Sequence, residues 1–408
     1  MGLLARDAND DARSAGLQRA YHRGASRTLR SRRPGRGSSS RPPATSVALA
    51  HIRAGRWARS LLEGALEERR TNMGFRTQRA LEEQVVVITG ASSGIGLSTA
   101  RLAAARGAAV VMAARSPEIE QLAEQLRSEG GRAEAVVADV SSEEDVRHVA
   151  DVAEARFGRI DTWINNAGTS VYGRSLEVPV DDMRELFDTD FWGTVYGSRV
   201  AVERMRDLGG TLINVGGVMS ERALPLQGAS SAAKHAVKGF TDALRVELEH
   251  DEVPVQITLV NPASTDTPLF AHAKNRLDDG VPAAPPPVYA PEVAARALLE
   301  CATRPKREIT VGAAGRARQL LSRWMPAVAD ELAARRMFEP QVRREPHEPR
   351  VLGAGSERGD HRGMVRRRGE RPAIRVPTMP AVVAGVGAVL VAVGLMRVAS
   401  QIAASRAV

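Results

Sequence analysis

From Gln84 onward the chain alternates short β-branched runs with amphipathic helical stretches, and this rhythm restricts its fold more than any other feature. "QVVVIT" (84 to 89) reads as a strand. It is followed by a helix from about Gly94 to Arg106, a strand at "AAVVMA", a helix over "PEIEQLAEQLRSEG", a strand at "AEAVVA", a helix after "DVSSEEDV" and a strand at "IDTWIN". A long helix from about Val180 to Arg206 comes next, then a strand "GTLINVG", a helix over "GASSAAKHAVKGF" (228 to 240) and a strand "VPVQITLV". A helix from Pro291 to about Thr303 and a strand "EITVG" close the pattern. Strands separated by whole helices cannot pair as hairpins, so they imply βαβ units and a parallel sheet covered on both faces. The predicted class is a doubly wound, Rossmann-like α/β fold of about seven strands.

Charge divides the chain. Residues 1–72 hold 15 Arg against 6 acidic residues, residues 73–340 hold 30 Lys and Arg against 37, and residues 341–408 hold 12 Arg against 5. The net charge of +9 therefore belongs to the ends. A nucleic-acid-binding domain would carry its basic patch on the packed core, so no nucleic-acid partner is expected.

Segment 1–72 ("RTLRSRRPGRGSSSRPP") has too few large apolar residues to offset the entropy of ordering it, and is expected to be disordered. Met73 reads as a natural domain start, which makes the preceding stretch a candidate upstream extension. No apolar run follows the Arg pairs, which argues against a secretory or twin-arginine signal. One globular domain is expected over 73–340, then a charged linker over 341–378 and a tail over 397–408. Between these, "MPAVVAGVGAVLVAVGLM" (379–396) runs 18 residues without a charge, with Arg on both sides. A span needs roughly 20 apolar residues. The stretch is read as a C-terminal membrane anchor with the domain on the cytoplasmic side; a helix packed back on the domain is the alternative.

Cys301 is the single cysteine, so no intrachain disulfide can form and a reducing cytoplasm fits. No clustered Cys and His suggest a metal. Pro-rich 278–292 cannot be sheet or helix interior and is read as a mobile segment over a site or a plain surface connection. Leu320, Leu321, Trp324, Met325, Val328 and Leu332 form a helical stripe expected to pack on the domain.

"TGASSGIG" (89–96) follows the first strand and opens the first helix. Gly90 permits the turn, Gly94 a close backbone approach to a pyrophosphate and Gly96 tight helix packing, while the amides around Ser92, Ser93 and Ile95 at the helix N-terminus suit phosphate. In strand–loop–helix context this is a dinucleotide signature. The end of the second strand, "VVMAARS", offers Arg115 and no carboxylate. A guanidinium there suits a 2′-phosphate, so NADP(H) is preferred over NAD(H).

With "ADV" (138–140), "NNAG" (165–168) and the lysine helix at 234 in this order, the chain resembles a classical short-chain dehydrogenase/reductase over residues 82–312, with a C-terminal part like a bacterial branch. The resemblance implies that Asp139 and Val140 hold the adenine, that Asn166, Ala167 and Gly168 flank the ribose, and that Pro262 and Thr267 sit by the nicotinamide, with Ala263 where Gly is usual. It implies a small carbonyl or alcohol substrate. It also implies a homodimer or homotetramer built on the helices starting near 180 and 228.

The family's active centre is Asn, Ser, Tyr and Lys. Here Lys234 matches, while Ser230 stands at the tyrosine position, Gly217 at the serine position and Asp190 at the asparagine position. A phenol near an ammonium can be acidified toward neutrality, and an alkyl hydroxyl cannot. The remaining tyrosines are Tyr21, Tyr172, Tyr196 and Tyr289; Tyr172 and Tyr289 are read as lining the substrate side. His235 is expected to point away from Lys234, and a water above Ser230 is read as the surviving proton relay. Asp190 is a candidate partner for Lys234. Two functions follow: an NADP(H)-dependent carbonyl/alcohol oxidoreductase, or a cofactor-binding protein without turnover that acts as sensor, scaffold or inactive oligomer partner.

Overall fold

The computed structural model describes residues 78–343 and 351–352. The expectations for 1–72, 379–396 and 397–408, and for most of 341–378, lie outside the described residues. Among the described residues no helix is long and apolar enough to cross a membrane.

Seven strands form the central sheet: β1 (Val85–Thr89), β2 (Ala109–Ala114), β3 (Arg132–Val137), β4 (Thr162–Asn165), β5 (Gly210–Val215), β6 (Val255–Pro262) and β7 (Glu308–Val311). Their order is β7-β6-β5-β4-β1-β2-β3 and every neighbouring pair is parallel. The helices are α1 (Gly94–Ala105), α2 (Glu118–Ser128), α3 (Glu143–Phe157), α4 (Val180–Phe187), α5 (Gly193–Met205), α6 (Gly228–His250), α7 (Pro291–Thr303), α8 (Ala313–Trp324) and α9 (Pro326–Arg336).

The period of two along each strand divides the core. Val86, Ile88, Val110 and Met112 pack under α1, α2 and α7 through Leu97, Ile119, Leu126 and Leu298, and Cys301 lies in this layer. Val87, Val111, Trp163 and Leu212 meet α3, α5 and α6 through Val146, Val149, Val200, Met205 and Leu248. Burial pushes the Cys301 thiol up to about 11, in keeping with a packing role. The chain runs from β1 to β2 and β3 on one side, then returns to β4 on the other. A crevice therefore opens between β1 and β4 at their carboxyl ends, where ligands bind in such sheets.

Three expectations need correction. The helix from Val180 to Arg206 is not continuous: a π-helical turn, Asp188–Trp192, separates α4 from α5. Periodicity could not reveal it, because inserting one residue into a helical ladder leaves both flanks amphipathic. The Pro-rich segment contains strand after all. Val281–Pro282 pairs with Val342–Arg343 and Val288–Tyr289 with Val351–Leu352, short edge pairings in which proline is tolerated. Finally, the apolar stripe after β7 packs only in part. Leu320, Leu321, Met325 and Val328 are half-buried, but Trp324 is 77% exposed and Leu332 also faces solvent. The chain breaks between α8 and α9 at Met325–Pro326, so one helical stripe becomes two short faces.

Candidate functional site

Four loops converge over the carboxyl ends of β1, β4, β5 and β6. The loop after β1 is held by close approaches that side chains would forbid. Gly90 has φ +64°, and a Cβ on it would lie 2.6 Å from the Ala167 Cα; one on Gly96 would lie 2.2 Å from the Gly90 carbonyl oxygen. A Cβ on Gly94 would meet the Thr267 side chain at 2.8 Å, so Thr267 lies over the loop. Ser93 caps α1 without a side-chain hydrogen bond, which leaves the first-turn amides beside Ser92, Ile95 and Gly96 disposed toward an anion.

The "NNAG" loop is fastened to β1 by polar contacts. Asn166 donates through Nδ2 to the carbonyls of Thr89 (3.0 Å) and Gly90 (3.1 Å), and the Thr89 hydroxyl accepts the amides of Asn166 and Ala167. Beneath it, Asn165 is buried in a network the sequence reading missed. Its Oδ1 accepts from the Trp163 indole at 2.8 Å, and its amide donates to Asn214 Oδ1 at 2.9 Å and Ser198 Oγ at 3.2 Å. Buried amides on neighbouring strands at one height were the only available signal.

At the far side of the sheet Arg115 is mostly solvent-exposed, 3.9 Å from Asp139. Asp139 accepts from the amide and hydroxyl of Ser141, while Val140 is buried beside Gly193. Thus a guanidinium and a carboxylate stand together at the tips of β2 and β3.

Gly217, after β5, and Ser230 and Lys234, on α6, are the residues the sequence pattern places at the reacting centre. Gly217 is extended, with φ 169° and ψ 171°, and a Cβ there would have its nearest neighbours at 3.8 and 3.9 Å, the Met219 amide nitrogen and the Pro262 carbonyl. Its own amide donates to Asn261 Oδ1 at 3.0 Å. The buried Ser220 hydroxyl lies against Gly216, close to Asn261. Ala263 fits because Gly312 and Gly315 flank its methyl.

Lys234 faces inward from α6, and its Nζ lies 3.2 Å from Asp190 Oδ2 and donates to the Val215 carbonyl at 3.3 Å. Ser230, one turn earlier, is 1% exposed and hydrogen-bonded to the buried Ser170 hydroxyl at 3.2 Å. Ser170, on the loop after β4, is thus a direct hydrogen-bond partner of Ser230. His235 is exposed and turned to the Ser231 carbonyl, away from Lys234.

Tyr172 is fully buried, against Phe270 and directed toward Gln227 without aligned hydrogen-bond geometry; desolvation pushes its phenol well above the ordinary range. It cannot serve as an acid near neutrality, in line with a packing role. Tyr289 lies against Gly312, beyond Ala263, and Tyr196 stacks on Trp192. Lys234 thus meets the Asp190 carboxylate and the Val215 carbonyl.

A crossover crevice, a glycine turn feeding a helix N-terminus and an inward lysine on the sixth helix define a class of dinucleotide-fold oxidoreductases. The chain matches the short chain dehydrogenase family model over residues 84–278. It is 42% identical over 300 residues to the uncharacterized oxidoreductase YxnA of Bacillus subtilis, covering 71% of this chain and 84% of that one. It is 38% identical over 240 residues to 11-beta-hydroxysteroid dehydrogenase A of Sesamum indicum, covering 56% of this chain and 68% of the relative. The chain belongs to the short-chain dehydrogenase/reductase family. Among solved structures, a Burkholderia phymatum short chain dehydrogenase/reductase in complex with NAD aligns with TM-score 0.54 at 24% identity, over 66% of this chain and 98% of that one. An alcohol dehydrogenase from Thermococcus sibiricus complexed with 5-hydroxy-NADP aligns with TM-score 0.50 at 24% identity, over 56% and 95%. These two likenesses bear on the fold alone.

Proposed function

We propose that the chain binds NADP(H) in preference to NAD(H) over the carboxyl ends of β1 and β4, and that the proton-transfer half of this site is disabled. The observation that carries the reading is the environment of Lys234, whose ammonium meets Asp190 and the Val215 carbonyl while Ser230 is occupied by Ser170. The first-turn amides of α1 would take the pyrophosphate. Asp139 and Val140 would flank the adenine, Asn166 to Gly168 the ribose, and Pro262 with Thr267 the nicotinamide. Arg115 would meet the 2′-phosphate, with Asp139 close enough to oppose part of that gain.

The nicotinamide supplies hydride when bound. Carbonyl reduction also needs a proton delivered to the nascent alkoxide. A positioned general acid contributes about 10² to 10⁴ in rate, and one oxyanion donor about 10² to 10³. Neither Ser230 nor Gly217 can supply these contributions, which do not simply multiply. The chain is then a nucleotide-binding sensor, scaffold or oligomer partner.

The second reading is a working carbonyl/alcohol oxidoreductase. The intact phosphate loop and the relationship to YxnA favour it, since orientation of reactants alone removes a large share of a barrier. Assembly as a homodimer or homotetramer and attachment to the cytoplasmic membrane through 379–396 belong to the same proposal.

NADPH binding followed by fluorescence, beside NADPH consumption over a panel of carbonyl compounds, separates the readings. Saturable binding with no consumption by the native chain supports the first. Consumption abolished by Lys234→Ala would establish the second, and absence of NADPH binding would refute both.

A further inference from the structure

We propose that Asp190 is a resident counter-ion that cancels the field of Lys234 over the α6 face carrying residue 230. The site is then closed to lysine-assisted acid–base chemistry at a second level, independent of the missing phenol. This deepens the reading above, but its test does not depend on nucleotide binding.

Asp190 lies in the π-turn with its side chain only 1% exposed. Oδ1 accepts the Thr169 amide at 2.7 Å, and Oδ2 makes no aligned hydrogen bond and lies 3.2 Å from Lys234 Nζ, itself only 12% exposed. The backbone carbonyl of Asp190 is also engaged, accepting the Thr194 hydroxyl at 2.8 Å. One carboxylate thus ties the loop after β4, the π-turn and the lysine helix together. Asparagine here would still accept the Thr169 amide. Its other terminal group would be a neutral NH2 with no charge to offset the ammonium.

Residues 230 and 234 are neighbours on one helical face. An acidic group at 230 is favoured in its ionised form by the ammonium and disfavoured by the carboxylate beside it, so the pair acts as a dipole of small net effect. The other titratable groups around this half of α6 do not alter the sign. Glu221 is paired with Lys238 at 2.9 Å, Tyr172 is buried and kept neutral, and His235 is turned to the Ser231 carbonyl. It follows that restoring a tyrosine at 230 and a serine at 217 does not by itself restore an acidified phenol. Asp190→Asn is needed as well.

Ser230→Cys is a near-isosteric probe whose thiolate absorbs in the ultraviolet. Its titration is read as a difference against the parent protein, which shares Cys301. With Asp190 present the Cys introduced at 230 should titrate at or above the ordinary thiol value of about 8.5. In the Asp190→Asn background the midpoint should fall by at least about one pH unit. A shift under about 0.3 units, or a midpoint already below about 7.5 with Asp190 in place, overturns the proposal. If Asp190→Asn fails to fold, the single variant still decides by that second criterion. Loss of NADPH binding with the titration shift intact would count against the nucleotide reading alone.

Discussion

At Gly217 an added methyl group would find its nearest atoms at 3.8 and 3.9 Å, and the backbone is extended, a conformation any residue adopts. Gly217→Ser should therefore fold normally, with a change in unfolding free energy within about 0.5 kcal/mol by denaturant titration. Gly96 is the opposite case: a Cβ would press on the Gly90 carbonyl at 2.2 Å and the Asn166 amide at 2.6 Å. Gly96→Ala should cost about 1–3 kcal/mol, and it should weaken NADPH binding because the β1–α1 turn must shift. Replacing the exposed Arg115 with Ala should reduce affinity for NADPH while leaving NADH affinity unchanged, as paired fluorescence titrations would reveal. Equal loss for both nucleotides would remove the basis for the NADP(H) preference. The motif positions at these places were legible in the sequence, because glycine at a turn and a cation at a strand end act locally. Ser170 was not legible, because nothing near "NNAGTS" signals that its hydroxyl meets a helix 60 positions later.

At the level of elements, the seven strands and their helices could be read from periodicity, because parallel strands covered on both faces are continuous apolar runs and the helices between them carry one stripe each. The π-turn could not, and it is the element that carries Asp190, the ion-pair partner of Lys234. Contacts between α4 and the segment after β6 were equally hidden. Asp182 of α4 meets Arg276 at 2.7 Å and Lys274 at 2.9 Å, and these cations, Arg276 foremost, hold its carboxyl below the usual range. A depressed folded-state pKa contributes stability above the unfolded carboxyl value of about 3.9, and that contribution is lost as pH falls through the lower folded-state value. Lys274–Arg276 is a short strand paired in parallel with Val171–Gly173, and acid should thus loosen its hold on α4. Limited proteolysis should begin there as pH drops below that range, and in Asp182→Asn the same cleavage should already occur at neutral pH. Cleavage independent of both pH and the substitution would show that the strand is held by other contacts.

For the whole molecule, the positive ends and the mildly acidic centre are already separate in the sequence, yet the described structure ties the chain beyond α9 back to the substrate side of the sheet. Gln341 is fully buried. Its carbonyl accepts the Ala283 amide at 2.9 Å, its Oε1 accepts from Gln227 Nε2 at 2.5 Å just before α6, and its Nε2 donates to the Met337 carbonyl. Val342 and Arg343 extend the contact as a strand against Val281 and Pro282, while Phe338 lies under the Arg174 guanidinium at 5.9 Å. The Pro-rich segment is thereby joined to the lysine helix through a residue outside the family-like region, which is why motif reading assigned it no role. Gln341→Leu removes both side-chain bonds and leaves the Gln227 amide buried without its acceptor, at a cost of about 1–3 kcal/mol. Hydrogen exchange should accelerate at the Ala283 amide and across the 281–289 segment, while β1 to β5 keep native protection, because their bonds are made within the sheet. NADPH affinity should change less than about twofold, since the phosphate loop and the "NNAG" loop are fastened to β1 by contacts that do not involve Gln341. Uniform loss of protection through the sheet would mean that Gln341 supports the core as a whole, whereas protection lost only around Ala283 would mark the segment beyond α9 as the strap that sets the geometry of the substrate side.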